Sequence, residues 1–162
     1  MRPIPQKRNA VLRISLRPLI PVIMLFALYV QFHGDYGPGG GFQAGVMFSA
    51  ALVLYILLFG IEKAREVLTP KRMEGLLAGG VFLYGAVGLL SIVNGGNFLD
   101  YNVLAHDPVH GQHYGIIAVE LGVGITVTAV MATLFMTFVE RGHRPSNEVH
   151  ARGNSAIVED RE

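Results

Sequence analysis

Phe42 to Ile61 is a run of 20 residues without one charged side chain, and Gly75 to Val93 adds 19 more. A bilayer hydrocarbon core of about 30 Å is crossed by about 20 helical residues, so each run is the length of one span. The whole chain has 162 residues, of which 51% are hydrophobic and 15% charged. A soluble domain of this size could not solvate so much apolar surface, and the chain reads as an integral membrane protein.

Two further segments complete the set. Tyr114 to Val139 is interrupted only by Glu120, and Leu19 to Phe32 is short at 14 residues. Extending the latter back through Arg17 and Arg13, whose stems can snorkel, restores a spanning length. Pro18 and Pro21 then fall in the first turns, where a missing N–H costs least. The expected fold is an all-α bundle of four transmembrane helices over residues 18–32, 42–61, 75–93 and 114–139, forming a membrane domain 18–139. It lies between a basic N-terminus, 1–17, and a polar tail, 140–162, expected to be flexible and cytoplasmic. The apolar start resembles a signal peptide, but no small-x-small cleavage site follows, so it is read as a retained first span.

Lysine and arginine set the orientation. All 13 lie before the first span, between the second and third, or after the fourth. By the positive-inside rule both termini face the cytoplasm, while the glycine-rich stretch and the loop 94–113 face outward. The net charge of +1 gives no case for nucleic acid. The absence of cysteine removes disulfides, thiolate metal sites and a cysteine nucleophile.

"HGDYGPGGGFQAG", from His33, suggests at first a phosphate cradle. No lysine followed by Ser or Thr completes a Walker pattern, no apolar strand precedes it, and its expected side lacks cytosolic nucleotides. The structural reading is a compact re-entry. Gly37, Pro38 and Gly39 turn the chain, and Gly40 and Gly41 permit a positive φ or close backbone approach. N–H groups at the following helix start can face an anion or carboxylate. His33 and Asp35, at the membrane edge, are candidates for an ion or proton pathway, with a solvated loop tip as the alternative.

Glu120 is the one acid well inside a predicted span. At that depth it must be protonated, paired, or beside a water-filled cavity, and no span of this chain offers a lysine or arginine opposite it. Its partner is therefore sought in another subunit, the outer-loop histidines or a bound cation. It is the leading candidate for proton or sodium handling; the alternative is a neutral acid that fixes packing. Glu120, Gly124, Thr128 and Ala132 share one helix face, with Thr128 a second pathway candidate. Gly122, Thr126, Ala129, Thr133 and Thr137 form another face, and Ile116, Val123, Val127, Val130 and Leu134 a lipid-facing stripe. Two small or hydroxylated faces imply two close helix neighbours, and threonines in spans commonly bond their own backbone. Gly75 and Gly79 repeat the small-residue spacing in the third span.

The loop "NGGNFLDYNVLAHDPVHGQHYG" is long and rich in apolar residues, and such loops are seldom idle. His106, His110 and His113 would share a broad face on a helix, but Pro108 and Gly111 argue against an uninterrupted one. No metal site is expected there. A pH-responsive role is the reading retained for the three histidines.

Taken together, "QFHGDYGPGGGFQAG" and "GGNFLDYNVLAHDPVHGQHYGIIAVELGVGITVTAVM" resemble the B-type subunits of the multisubunit Mrp/Mnh-type Na+/H+ antiporters. The likeness runs from about Pro18 to Val139. It implies a small component of a large bacterial inner-membrane complex that exchanges internal sodium for external protons. Its partners would be the other subunits, including large ones similar to the proton-pumping subunits of respiratory complex I, and the lipid bilayer. Na+ and H+ would be cargo, with no cofactor. One buried carboxylate and no intramembrane base make an incomplete relay, so the chain is not expected to work alone. Nor does it carry the residue set of an enzyme. The alternatives are a purely structural scaffold, or the equivalent subunit of a related membrane-bound hydrogenase or oxidoreductase with an antiporter module.

Overall fold

The computed structural model describes residues 14–34 and 37–143. The N-terminus before residue 14, Asp35, and the tail after residue 143 lie outside the described residues. Helix α1 is Leu19–His33, α2 Gly41–Phe59, α3 Ile61–Val67, α4 Pro70–Val93 and α5 Pro108–His143, with a 3-10 turn at Tyr101–Val103. Four segments are long and apolar enough to cross a membrane: Ile14–His33, Gly41–Phe59, Pro70–Val93 and Pro108–Gly142.

The helix ends depart from the apolar runs for local reasons. α2 stops at Phe59 rather than Ile61 because Gly60, at φ 87° and ψ 160°, turns the chain. That conformation is open to glycine and costly for other residues. Ile61 then opens the short helix α3. α4 begins five residues before Gly75, at Pro70, whose missing N–H is harmless in the first turn. α5 begins at Pro108, where the Asp107 carboxylate accepts the Val109 N–H at 3.2 Å. It runs for 36 residues, about 54 Å at 1.5 Å per residue, and therefore overshoots the hydrocarbon at its ends. Glu140 to His143, at the head of the expected tail, form its last turn.

In space the long helices stand in the order α1, α2, α5, α4. α5 packs against both α2 and α4, and α1 packs chiefly on α2. The two packing faces of α5 thus meet two neighbours. Gly122 and Thr126 lie against Gly80 of α4, while Gly124 and Val127 lie against Gly45 of α2. Val123, Val127 and Val130, expected to face lipid, are half-buried. Leu121, Met131, Leu134 and Phe138 are the exposed apolar side chains of this helix.

At the end away from the glycine loop, Ile56, Ala64, Leu68, Met73, Ala132 and Met136 form an apolar core. The Arg17 guanidinium lies 5.0 Å from the centre of the Phe59 ring, so an arginine marks the outer limit of this end. Arg65 and Glu140 pair at 2.6 Å, but both are substantially exposed, and such pairs contribute at most about 1 kcal/mol.

Candidate functional site

The glycine loop and Glu120, separate features in the sequence, are one structure. A methyl group added at Gly34 would stand 2.6 Å from both carboxylate oxygens of Glu120, and one at Gly40 would stand 2.9 Å from Oε1. A side chain at Gly41 would collide with the Glu120 backbone. The loop therefore closes over this residue because three of its positions lack a Cβ.

The path of the loop follows from a few bonds. The Gly37 N–H donates to the His33 carbonyl at 3.1 Å, and the Gly40 N–H to the Val30 carbonyl at 3.2 Å. Gly40 has φ 113° and ψ −179°, a region in which a side chain is strained. A methyl at Gly39 would stand 2.7 Å from the Val30 oxygen. Beyond Gly40, the first N–H groups of α2 have no acceptor within the helix and carry its positive dipole end. The Glu120 carboxylate sits close to this end. Phe42, the second residue of α2, is exposed.

Below the carboxylate, polar groups continue along the same face of α5. Thr128 Oγ1 donates to the Gly124 carbonyl at 2.7 Å and lies 3.2 Å from the Gly45 carbonyl across the helix interface. Thr126, Thr133 and Thr137 bond only their own helix. Among the pathway candidates, the structure thus brings Glu120 and Thr128 onto one seam. His33 ends α1, stacked on Tyr29 with ring centres 5.2 Å apart.

The outer-loop histidines are not a single site. His106 lies in the loop, whereas His110 and His113 occupy the opening turns of α5. Pro108 and Gly111 do not break the helix. Pro108 is its first residue, and Gly111 leaves room for the Tyr101 carbonyl. His110 Nδ1 pairs with Asp107 Oδ2 at 2.7 Å. Among the described residues no three His, Asp or Glu side chains are grouped to hold a metal. The loop itself is pinned by Phe98, whose ring covers Gly88, and by Tyr101, whose ring covers Gly115. Burial and the nearby Tyr84 push the Tyr101 phenol above its ordinary value of 10.0.

One residue packed against this seam is missed by reasoning from sequence. Gln31 is buried at the α1–α5 contact, and only its position as a lone amide among apolar and aromatic residues could have drawn notice.

The family described as "Domain related to MnhB subunit of Na+/H+ antiporter" matches residues 11–133. The chain belongs to the MnhB family. An antiporter subunit mnhB2 of Staphylococcus haemolyticus (strain JCSC1435) is 30% identical over 134 residues, covering 81% of this chain and 94% of the relative. The subunit of the same name from Staphylococcus aureus (strain Newman) is 30% identical over 135 residues, covering 82% and 95%. The matched region contains the glycine loop, Gln31, Glu120 and Thr128, so the seam lies within the MnhB part of the chain.

Proposed function

We propose that this MnhB-family chain is a membrane subunit of a multisubunit Na+/H+ antiporter and that Glu120 is its proton-handling group. The supporting observation is the enclosure of an intramembrane carboxylate by Gly34 and Gly40 at the start of α2. The ionised form is favoured by the helix start and the neutral form by the apolar depth of the span. A carboxyl group balanced between these two influences can take up and release a proton. Exchange would run on the proton gradient, with no nucleotide or covalent step, alongside the other subunits of the complex. The location proposed is a bacterial inner membrane; the partition of lysine and arginine supports cytoplasmic termini there, and with them a glycine loop on the outer side. His106, His110 and His113 then face the outer solution, where a pH response is expected of them. An unchanged pH profile after replacing all three would remove that role.

Glu120→Gln tests the central reading because it keeps the side-chain volume that the loop encloses. Normal assembly with exchange lost is the expected result. Normal assembly with normal exchange would leave a scaffold whose glutamate only fills the loop, a reading favoured by the tightness of the contacts at Gly34. The hydrogenase and oxidoreductase alternative is not favoured by the relatives.

A further inference from the structure

Gln43 is a polar side chain that the proposed function leaves unused. Helix α2 carries three side chains with polar atoms, and the fold accounts for two of them. Ser49 is buried and donates to the Val46 carbonyl at 2.8 Å, and the Tyr55 ring packs on Phe59 with centres 4.7 Å apart. Gln43 is exposed, although Gly41, Ala44 and Gly45 around it are buried. The other exposed side chains of α2 are Phe42, Ala50 and Leu57, all apolar. A lone amide on such a face is costly in hydrocarbon, and in membrane spans polar groups of this kind mark surfaces in use.

The amide lies where Glu120 comes nearest to that surface. A methyl on Gly40 would have Glu120 Oε1 at 2.9 Å and Gln43 Oε1 at 3.7 Å, so carboxyl and amide are both neighbours of Gly40. Backbone bars two other approaches, since Gly34 touches the carboxylate and Gly41 the main chain of Glu120. Glu120 is nevertheless half-buried and not sealed. An amide holds both a donor and an acceptor, so it can serve a carboxyl group in either protonation state.

We propose that the proton of Glu120 enters from the outer surface beside Gln43, and that Gln43 is the positioning residue of this entry. The inference rests on the assignment of Glu120 as the proton-handling group. A hydronium ion of the outer solution supplies the proton: one of its O–H bonds breaks, a carboxyl O–H bond forms, and neutral water leaves. Before the transfer the Gln43 amide N–H donates to the carboxylate; after it, with the amide turned, Oε1 accepts from the acid. The amide itself does not titrate, so it orients the carboxyl and carries no proton. Among the described residues, the titratable groups around Glu120 are His33 on α1, Tyr84 on α4, His113 and Tyr114 on α5, and Tyr101 of the loop at Gly115; the first three turns of α2 bring none.

The test uses the assembled complex in everted membrane vesicles, with sodium-driven proton movement followed across pH. Glu120→Gln should abolish exchange; if it does not, the proposed function fails and this inference fails with it. Given that loss, Gln43→Leu should assemble normally and move the pH profile upward by about one unit, a tenfold rise in proton affinity, because the ionised form loses a charge-assisted hydrogen bond. The displacement should persist when His33→Gln and His113→Gln are added. The chain has no cysteine, so Gln43→Cys gives a second reading. Alkylation of that thiol with N-ethylmaleimide should stop exchange, while the same treatment should spare the wild-type complex and Phe42→Cys, exposed at the same level on another side of α2. A wild-type pH profile in Gln43→Leu together with full exchange by alkylated Gln43→Cys would overturn the inference alone. Equal inhibition at positions 42 and 43 would do the same, since bulk anywhere at this level would then suffice. If leucine impairs assembly, Gln43→Cys before and after alkylation decides. Failure of both variants to assemble would assign Gln43 to packing and also overturn it.

Discussion

At the scale of single residues, Gly40 is the sharpest case. Its φ of 113° and the 2.9 Å approach to Glu120 Oε1 both exclude a side chain. Gly40→Ala should therefore cost about 1–3 kcal/mol from the backbone alone. The check is the melting temperature of the purified protein, and wild-type stability would show that the loop relaxes. Tyr101 gives a pH dependence whose sign is fixed. Its folded phenol holds the proton beyond 10.0, where the unfolded phenol gives it up. The stability it contributes is complete below that value and is lost as the pH rises toward the folded value. Melting curves recorded at about pH 8 and above about pH 10 should show a steeper alkaline loss in the native protein than in Tyr101→Phe. Glu120 was legible in the sequence because an acid in a long uncharged run is conspicuous. Gln31 was not, since hydropathy does not reveal which way α1 is rotated, and Asp35 lies outside the described residues.

At the scale of helices, apolar runs announce spans but not their ends. α5 is longer than its run because capped and polar turns extend it into water, and α2 is shorter because one glycine at φ 87° stops it. Glycine spacing likewise shows that a face is small without showing what touches it. Gly75 and Gly79 have open space where a side chain would go, whereas a methyl on Gly80 would meet the Gly122 carbonyl at 2.6 Å and collide with Thr126. The adjacent pair makes an internal control. Gly80→Ala should destabilise the isolated protein by about 1–3 kcal/mol. Gly79→Ala should be neutral or stabilising by up to about 1 kcal/mol through helix propensity. Equal effects in thermal unfolding would mean that α4 and α5 do not pack through Gly80.

At the scale of the molecule, the four spans were legible but their arrangement was not. Chain order suggests neighbours in sequence, yet α5 inserts between α2 and α4 because its two small-residue faces each accept a partner. The orientation invites a direct check, since the chain has no cysteine. A cysteine placed at Asn97 should react with an impermeant thiol reagent in intact cells, and one at Lys63 only after permeabilisation. The reverse pattern would invert the proposed topology. The middle position of α5 has one further consequence: it touches α2 on one side and α4 on the other, so it is the keystone through which α4 is tied to the first two spans.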